Sequence, residues 1–400
     1  MSLAEVSEAR ERLGDVAVRT PLDRSRALSE RTGGAVFLKC ESLQRTGSFK
    51  IRGAYNRISR LTASERAAGV VAASAGNHAQ GVALAAALSG ITSAVFMPEA
   101  APLPKVEAAK RYGANVHLVG KDFAAAAVAA RDYARASGSV FIHPFDHPAV
   151  IAGQGTVGCE IVEQSDEIGT VVVPVGGGGL ISGIAVAVRG LRKSARIVGV
   201  QAEGAAAFPP SLAAGKPVTL EQMSTIADGI AANAPSERTL AHVRALVDEI
   251  VCVSDEAIAE ALVLAAERMK LVLEPAGGAG IAALLQSPAV LVPPVVVVLS
   301  GGNVDPLLLL RVIRFGLSAS GRYFAFHTHL PDRPGELARL IGCIAQVGAN
   351  IVGVEHHREG MGVDLGDVDV TLQVETRGSA HIEELSRALA EAGYAVLPMH

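Results

Sequence analysis

The stretch Val171-Val172-Val173-Pro174-Val175-Gly176-Gly177-Gly178-Gly179-Leu180-Ile181-Ser182-Gly183 is an apolar run that passes through glycines into a second apolar segment. An apolar run of this kind reads as a strand buried on both faces, and the glycines as the turn that opens a helix. The same alternation surrounds it. Residues 70–73, 94–97, 115–119, 196–200 and 295–299 read as buried strands, while 77–88, 104–112, 123–136 and 255–269 read as helices. The pattern predicts an α/β fold of mainly parallel sheet. Glycines at a helix start also let backbone N–H groups approach an anion closely. The cluster is not a Walker A loop, because Ile184 follows Gly183, and it lacks the GxGxxG spacing. A plain turn and a cradle for a compact phosphate both remain open.

Composition narrows the class. Of 400 residues, 50% are hydrophobic and only 19% charged, which excludes a disordered chain. The length calls for more than one domain. A net charge of −4 and 4% aromatics argue against a phosphate-backbone or base-stacking partner, so no nucleic acid is expected. Met1 to Arg12 is polar, with no signal-peptide stretch. The longest apolar run, Ala289 to Leu299, carries Pro293 and Pro294 and falls short of the roughly 18 residues a membrane helix needs. Cys40, Cys159, Cys252 and Cys343 are too widely spaced for a CxxC pair, and read as reduced thiols. A cytoplasmic soluble enzyme or sensor is expected, with no membrane partner.

The pattern changes at Gly316-Leu317-Ser318-Ala319-Ser320-Gly321, which reads as a linker over 316–321. Beyond it, residues 323–330, 350–356, 368–374 and 394–398 read as strands. Helices are expected from Pro334-Gly335-Glu336-Leu337 onward and over 379–392. The order βαββαβ predicts a ferredoxin-like module over 322–400.

The richest chemistry lies in Glu41-Ser42-Leu43-Gln44-Arg45-Thr46-Gly47-Ser48-Phe49-Lys50-Ile51-Arg52-Gly53-Ala54. Lys50, between Phe49 and Ile51, stands where desolvation would lower its pKa and free the amine for Schiff-base chemistry; taken alone, a surface lysine is the commoner reading. This segment resembles the cofactor-lysine signature of the serine/threonine dehydratases, fold-type-II pyridoxal 5′-phosphate (PLP) enzymes. Further stretches agree in order: Ser74-Ala75-Gly76-Asn77-His78, His143-Pro144-Phe145-Asp146, Ala152-Gly153-Gln154-Gly155-Thr156, Gly176 to Gly179, and Ser300-Gly301-Gly302-Asn303. The resemblance spans Val18 to Phe315.

What the resemblance implies is specific. The catalytic domain is 1–315, two α/β subdomains of mainly parallel sheet, the smaller one covering approximately 45–140. Lys50 carries PLP and is the catalytic base, with Phe49 beside it. Asn77 meets the ring hydroxyl, Gly176, Gly177, Gly178, Gly179 and Leu180 the phosphate, Ser300 the ring nitrogen, and Gly229 lines the cofactor. Ser74, Gly76, Asn77 and His78 hold the substrate carboxylate. The activity implied is β-elimination of water from L-threonine, the first step toward isoleucine. Ala75 replaces the second serine of the related serine racemases, which disfavours racemisation. Those racemases also bind a divalent ion; Glu203 matches one ligand, but Pro209 stands in place of the other, so no metal is assigned. Glu203 stays a candidate for a monovalent cation.

The C-terminal module resembles an ACT domain through Leu330-Pro331-Asp332-Arg333-Pro334-Gly335-Glu336-Leu337 and Gly348-Ala349-Asn350-Ile351. The resemblance implies that Asp332, Gly335 and Asn350 bind a branched-chain amino-acid effector; a plain dimerisation unit is the other reading. His327, His329, His356 and His357 are read as ordinary histidines in the absence of ligand spacing. A homotetramer is expected from the family. L-serine or threo-3-hydroxyaspartate dehydration is the alternative activity, and an amino-acid sensor with a relic catalytic domain is the non-enzyme alternative.

Overall fold

Valine-rich runs decide the sheets and, through them, where ligands can reach the chain. The computed structural model describes residues 1–288, 291–358 and 366–399, so the first two residues of the apolar run from Ala289 lie outside it. By contacts the chain divides into Met1–Leu309 and Leu310–His400. The first unit holds β1 (Leu22–Arg24), β2 (Val36–Lys39), β3 (Val70–Ala73), β4 (Ser93–Met97), β5 (Asn115–Leu118), β6 (Val140–Phe141), β7 (Thr170–Pro174), β8 (Arg196–Ala202), β9 (Glu249–Val253) and β10 (Val295–Val298).

Strands β3–β6 form a parallel sheet in the order β5-β4-β3-β6. The others form a sheet in the order β1-β2-β10-β7-β8-β9, parallel except that β1 runs against β2. Every residue of β3, β4, β7 and β10 is buried, which explains their unbroken apolar composition. Helices cover these sheets, and ligands of such folds collect beyond the carboxyl ends of the strands. Ser74 follows β3, Val175 to Gly178 follow β7, and Leu299 to Gly302 follow β10, so all three motif loops leave from those ends.

The second unit contains β11 (Tyr323–Pro331), β12 (Asn350–His357), β13 (Asp367–Glu375) and β14 (Leu397–Pro398), with helices Glu336–Val347 and Ser379–Glu391. Its sheet order is β12-β13-β11-β14, antiparallel throughout, which is the ferredoxin-like arrangement. Phe326, Leu330, Leu340, Ile344, Leu372 and Leu385 fill its core.

The linker expectation is corrected. A helix runs from Pro306 to Ala319, through most of the 316–321 stretch. Leu317, Ser318 and Ala319 are acceptable helix residues, and the single Gly316 costs only about 1 kcal/mol relative to alanine. The division by contacts falls within this helix, between Leu309 and Leu310. The helix expected over 255–269 is also modified: Asp255–Leu264 is α-helical, Ala265–Met269 is a π-helix, and Lys270 ends it with φ 59°. The last strand is shorter than expected, because Tyr394 is buried in the core while only Leu397–Pro398 pairs.

Behind the motif loops lies a buried ionic network. Arg52 donates to Glu41 at 2.7 and 2.8 Å and to Glu160 at 2.6 Å. Lys39 donates to the same Glu160 at 2.6 Å, to the Thr20 carbonyl at 2.8 Å and to Gln164 at 2.8 Å. Burial alone would raise the Glu160 carboxyl, but Arg52 and Lys39 overcome it and hold Glu160 below the usual carboxylate range. Arg52→Met leaves the Glu41 carboxylate without its cationic partner in a dry interior, while Glu160 keeps Lys39, so urea melts should show a loss of about 3–5 kcal/mol. A loss below about 1 kcal/mol would mean that water already screens the network.

Candidate active site

Lys50 is placed by the backbone. Phe49 N–H donates to Ser300 O at 3.2 Å, Gly302 N–H donates to Gly47 O at 2.8 Å, and Ser48 bridges Gly301. The chain ahead of Lys50 is thus laid antiparallel against the loop after β10, and Lys50 begins the helix Lys50–Ile58 beside it. Its Nζ donates to the neutral Pro144 carbonyl at 3.2 Å and stands 5.1 Å from the centroid of the Phe49 ring. Burial pushes the amine down to about 8, although Glu274 pulls the other way.

The glycine loop packs against the same neighbourhood. A Cβ on Gly177 would lie 2.3 Å from the Phe145 ring, one residue from Pro144. Gly178 has φ 89° and would meet Phe208 at 2.6 Å, so neither position admits a side chain. The loop opens the helix Gly179–Leu191, whose first-turn N–H groups lack intrahelical acceptors. Leu180 buries its side chain in the core, leaving its backbone for any ligand. Ile230 packs against Gly176, and Gly229 in the same turn faces Ala276 and Glu274.

Asn77 opens the helix Asn77–Leu88, with Gly76 as the residue before it and Gly76 N–H donating to Ser74 Oγ at 3.1 Å. Its Nδ2 donates to Glu274 Oε1 at 2.6 Å, and its Oδ1 accepts from Asn303 Nδ2 at 2.8 Å. Burial, with Asp228 adding, raises the Glu274 carboxyl to about 7, against the Asn77 bond, Lys105 and Lys50. Burial, with Lys50 adding, lowers His78 to about 3, so its ring is neutral and donates Nε2–H to the Ile142 carbonyl at 2.8 Å. The ring is committed there, and only the His78 backbone is left for an anion. Ser300 is buried, with Oγ 3.5 Å from the Ala276 carbonyl.

Lys50, Phe49, Ser74, Gly76, Asn77, Ser300 and the glycine loop therefore share one neighbourhood. Sequence reasoning missed Glu274 and left Asn303 without a role. The signal for Glu274 was its isolation, a single carboxylate in Leu271-Val272-Leu273-Glu274-Pro275-Ala276. Glu203 is exposed, and among the described residues no three His, Cys, Asp or Glu side chains stand where they could hold a metal ion. In the second unit a cavity of about 500 Å³ is lined by Asp332, Gly335, Glu336, His356 and Arg358 among others. Asn350 is not in that lining; its Nδ2 donates to Glu375 at 3.3 Å. His327 and His329 stand 3.7 and 3.8 Å from Asp369 Oδ1.

The donor set fits PLP. A buried amine on a neutral partner suits the aldehyde, and a side-chain-free loop at a helix start suits the phosphate. Asn77 offers a donor for the ring oxygen, and Ser300 a neutral partner for the ring nitrogen. Comparison with known proteins agrees. The chain is 46% identical over 396 residues to an L-threonine ammonia-lyase from Thermotoga maritima, covering 99% of each chain. It is 45% identical over 392 residues to an L-threonine ammonia-lyase from Geobacter sulfurreducens, covering 98% of each. The solved structure of threonine deaminase isoform 2 from Solanum lycopersicum superposes with a TM-score of 0.76 at 37% identity, over 78% of this chain and 92% of that one. The family model described as pyridoxal-phosphate dependent enzyme matches residues 15–301, and with the lysine, the glycine loop and these relatives in agreement, the chain belongs to that family.

Proposed function

We propose that the chain is a lyase that converts L-threonine to 2-oxobutanoate and ammonia. The observation that carries this reading is the desolvated Lys50 amine, resting on the Pro144 carbonyl at 3.2 Å. Relatives at 45 and 46% identity over nearly the full chain carry the threonine ammonia-lyase name, which supports the substrate. PLP supplies a carbonyl for the substrate amine and an electron sink for the bond broken at Cα.

The residues divide the work as follows. Backbone N–H groups of Gly176 to Leu180 hold the phosphate, with Phe49 and Gly229 lining the cofactor. Asn77 donates to the ring oxygen. Ser300 pairs with the ring nitrogen without requiring it to be protonated, which favours elimination over transamination. Ser74 and the N–H groups of Gly76 to His78 hold the substrate carboxylate. Lys50 Nζ, as a free amine, accepts the Cα proton, the electron pair left at Cα forms the Cα–Cβ double bond, and the β-hydroxyl takes up a proton from the Lys50 ammonium or solvent and leaves as water. Water then returns the oxygen as the 2-oxo group and the nitrogen leaves as ammonia, so no oxidant is needed. Ala75 has no side-chain proton to deliver to Cα, which favours elimination over inversion.

The C-terminal unit is read as an ACT-type sensor. The cavity beside Asp332 and Gly335 would take a branched-chain amino acid, and Asn350 would contribute across a paired copy. A homotetramer in the cytoplasm, feeding isoleucine synthesis, completes the proposal.

Lys50→Ala should abolish the visible absorbance of bound PLP and 2-oxobutanoate release, with the fold unchanged by circular dichroism. Retained turnover would remove Lys50 from its role, and faster release from L-serine or threo-3-hydroxyaspartate would replace the substrate. The rate at which the apoprotein takes up PLP should fall about tenfold per pH unit below about 8 and level above it, since only the free amine reacts. A flat rate across that window would mean that Lys50 is not desolvated. Added isoleucine or valine should shift the threonine saturation curve, and a curve unmoved by either would leave the C-terminal unit without an effector role.

A further inference from the structure

A carboxamide can present either its oxygen or its nitrogen to a ligand, and the helix start at Asn77 does not decide which. Side chains beyond it do. The Thr46 carbonyl can only accept, and Asn303 Nδ2 donates to it at 2.6 Å. That bond fixes the Asn303 amide, and the second hydrogen on the same nitrogen goes to Asn77 at 2.8 Å. The group it meets must be the oxygen of Asn77. Asn77 Nδ2 consequently faces Glu274, donating to Oε1 at 2.6 Å, and one N–H is left over. Whether Glu274 is ionised or neutral, it keeps an accepting oxygen for that bond. The π-helix Ala265–Met269 and the left-handed Lys270 deliver the segment that carries Glu274 to this position, where its Oε1 packs against Gly301.

We propose that Asn303 and Glu274 are positioning residues that lock the Asn77 carboxamide, so that it presents an N–H donor to the cofactor's ring oxygen. The chain of bonds starts at a backbone carbonyl whose polarity cannot change, so the direction of every later bond follows from it. The effect is to favour the ionised ring oxygen, because a fixed donor stabilises an anion more than a hydroxyl. The inference rests on the reading that Asn77 faces that oxygen.

The test compares binding of PLP with that of 3-deoxypyridoxal 5′-phosphate, which lacks the ring oxygen, to the full-length apoprotein. Taking the ratio within each protein cancels any general loosening of the fold. Wild type should prefer PLP by about tenfold or more, the range of a hydrogen bond to a charged group. In Asn303→Asp, which cannot donate to Thr46 or Asn77, and in Glu274→Ala, the preference should fall to within about threefold. Glu274→Gln retains an accepting oxygen and should keep the wild-type ratio. The pH midpoint of the visible band of bound PLP should move in Asn303→Asp and Glu274→Ala and stay in place in Glu274→Gln.

If wild type shows no preference, Asn77 does not face the ring oxygen and the underlying reading fails. If wild type prefers PLP and Asn303→Asp keeps that preference, the proposal itself is overturned. Equal losses in Glu274→Gln and Glu274→Ala would also overturn it, since charge rather than orientation would then matter. Should Asn303→Asp not fold, Glu274→Ala against Glu274→Gln decides by the same ratio.

Discussion

Two main-chain hydrogen bonds, Phe49 N–H to Ser300 O at 3.2 Å and Gly302 N–H to Gly47 O at 2.8 Å, join segments far apart in the chain. They fasten the helix that leads into the small sheet to the end of β10, a strand inside the large sheet. The position of Lys50 is thereby set by backbone geometry. Arg52, in the same helix, is gripped by Glu41 and Glu160, so the helix cannot turn without unpairing buried charge.

Much of this was legible in the sequence because the constraints are local. A valine run followed by glycines can hardly be anything but a buried strand and a turn, and residues 171–179 fold that way. The helix 77–88 matches its sequence reading at both ends, since Gly76 and the Ser89-Gly90 pair punctuate it. Lys50 drew attention because apolar neighbours flank a lysine. The ferredoxin-like order was readable from alternation alone, because each face of β13 is either wholly apolar or wholly polar.

The remainder depends on contacts distant in sequence. Glu41, Arg52 and Glu160 look like solvated charges one at a time, and only the fold brings them together without water. Asn303 reads as a turn residue until its amide is seen between Thr46 and Asn77. The stretch 316–321 misleads for the opposite reason. Small residues are consistent with a linker, yet they also tolerate a helix, and an adjoining leucine-rich segment settles the choice. β9 was missed because its residues are mostly half-buried and Glu249 begins it.

Lys50 and Arg52, two residues apart on one helix, are both opposed by burial, yet the first shifts down and the second up. Lys50 and Glu274 attract each other, yet desolvation takes the amine down to about 8 and the carboxyl up to about 7. If attraction governed the pair, each would move toward its charged form. For Arg52 desolvation also opposes the charge, but Glu41 and Glu160 bond to it directly and raise it instead. The difference is the number of anionic partners in hydrogen-bond contact: two for Arg52, while the bonded partner of Lys50 is a neutral carbonyl. The same dry interior therefore yields a permanent cation that holds the helix and an amine poised near neutrality. The proposed chemistry requires the second, and the first keeps it where it stands.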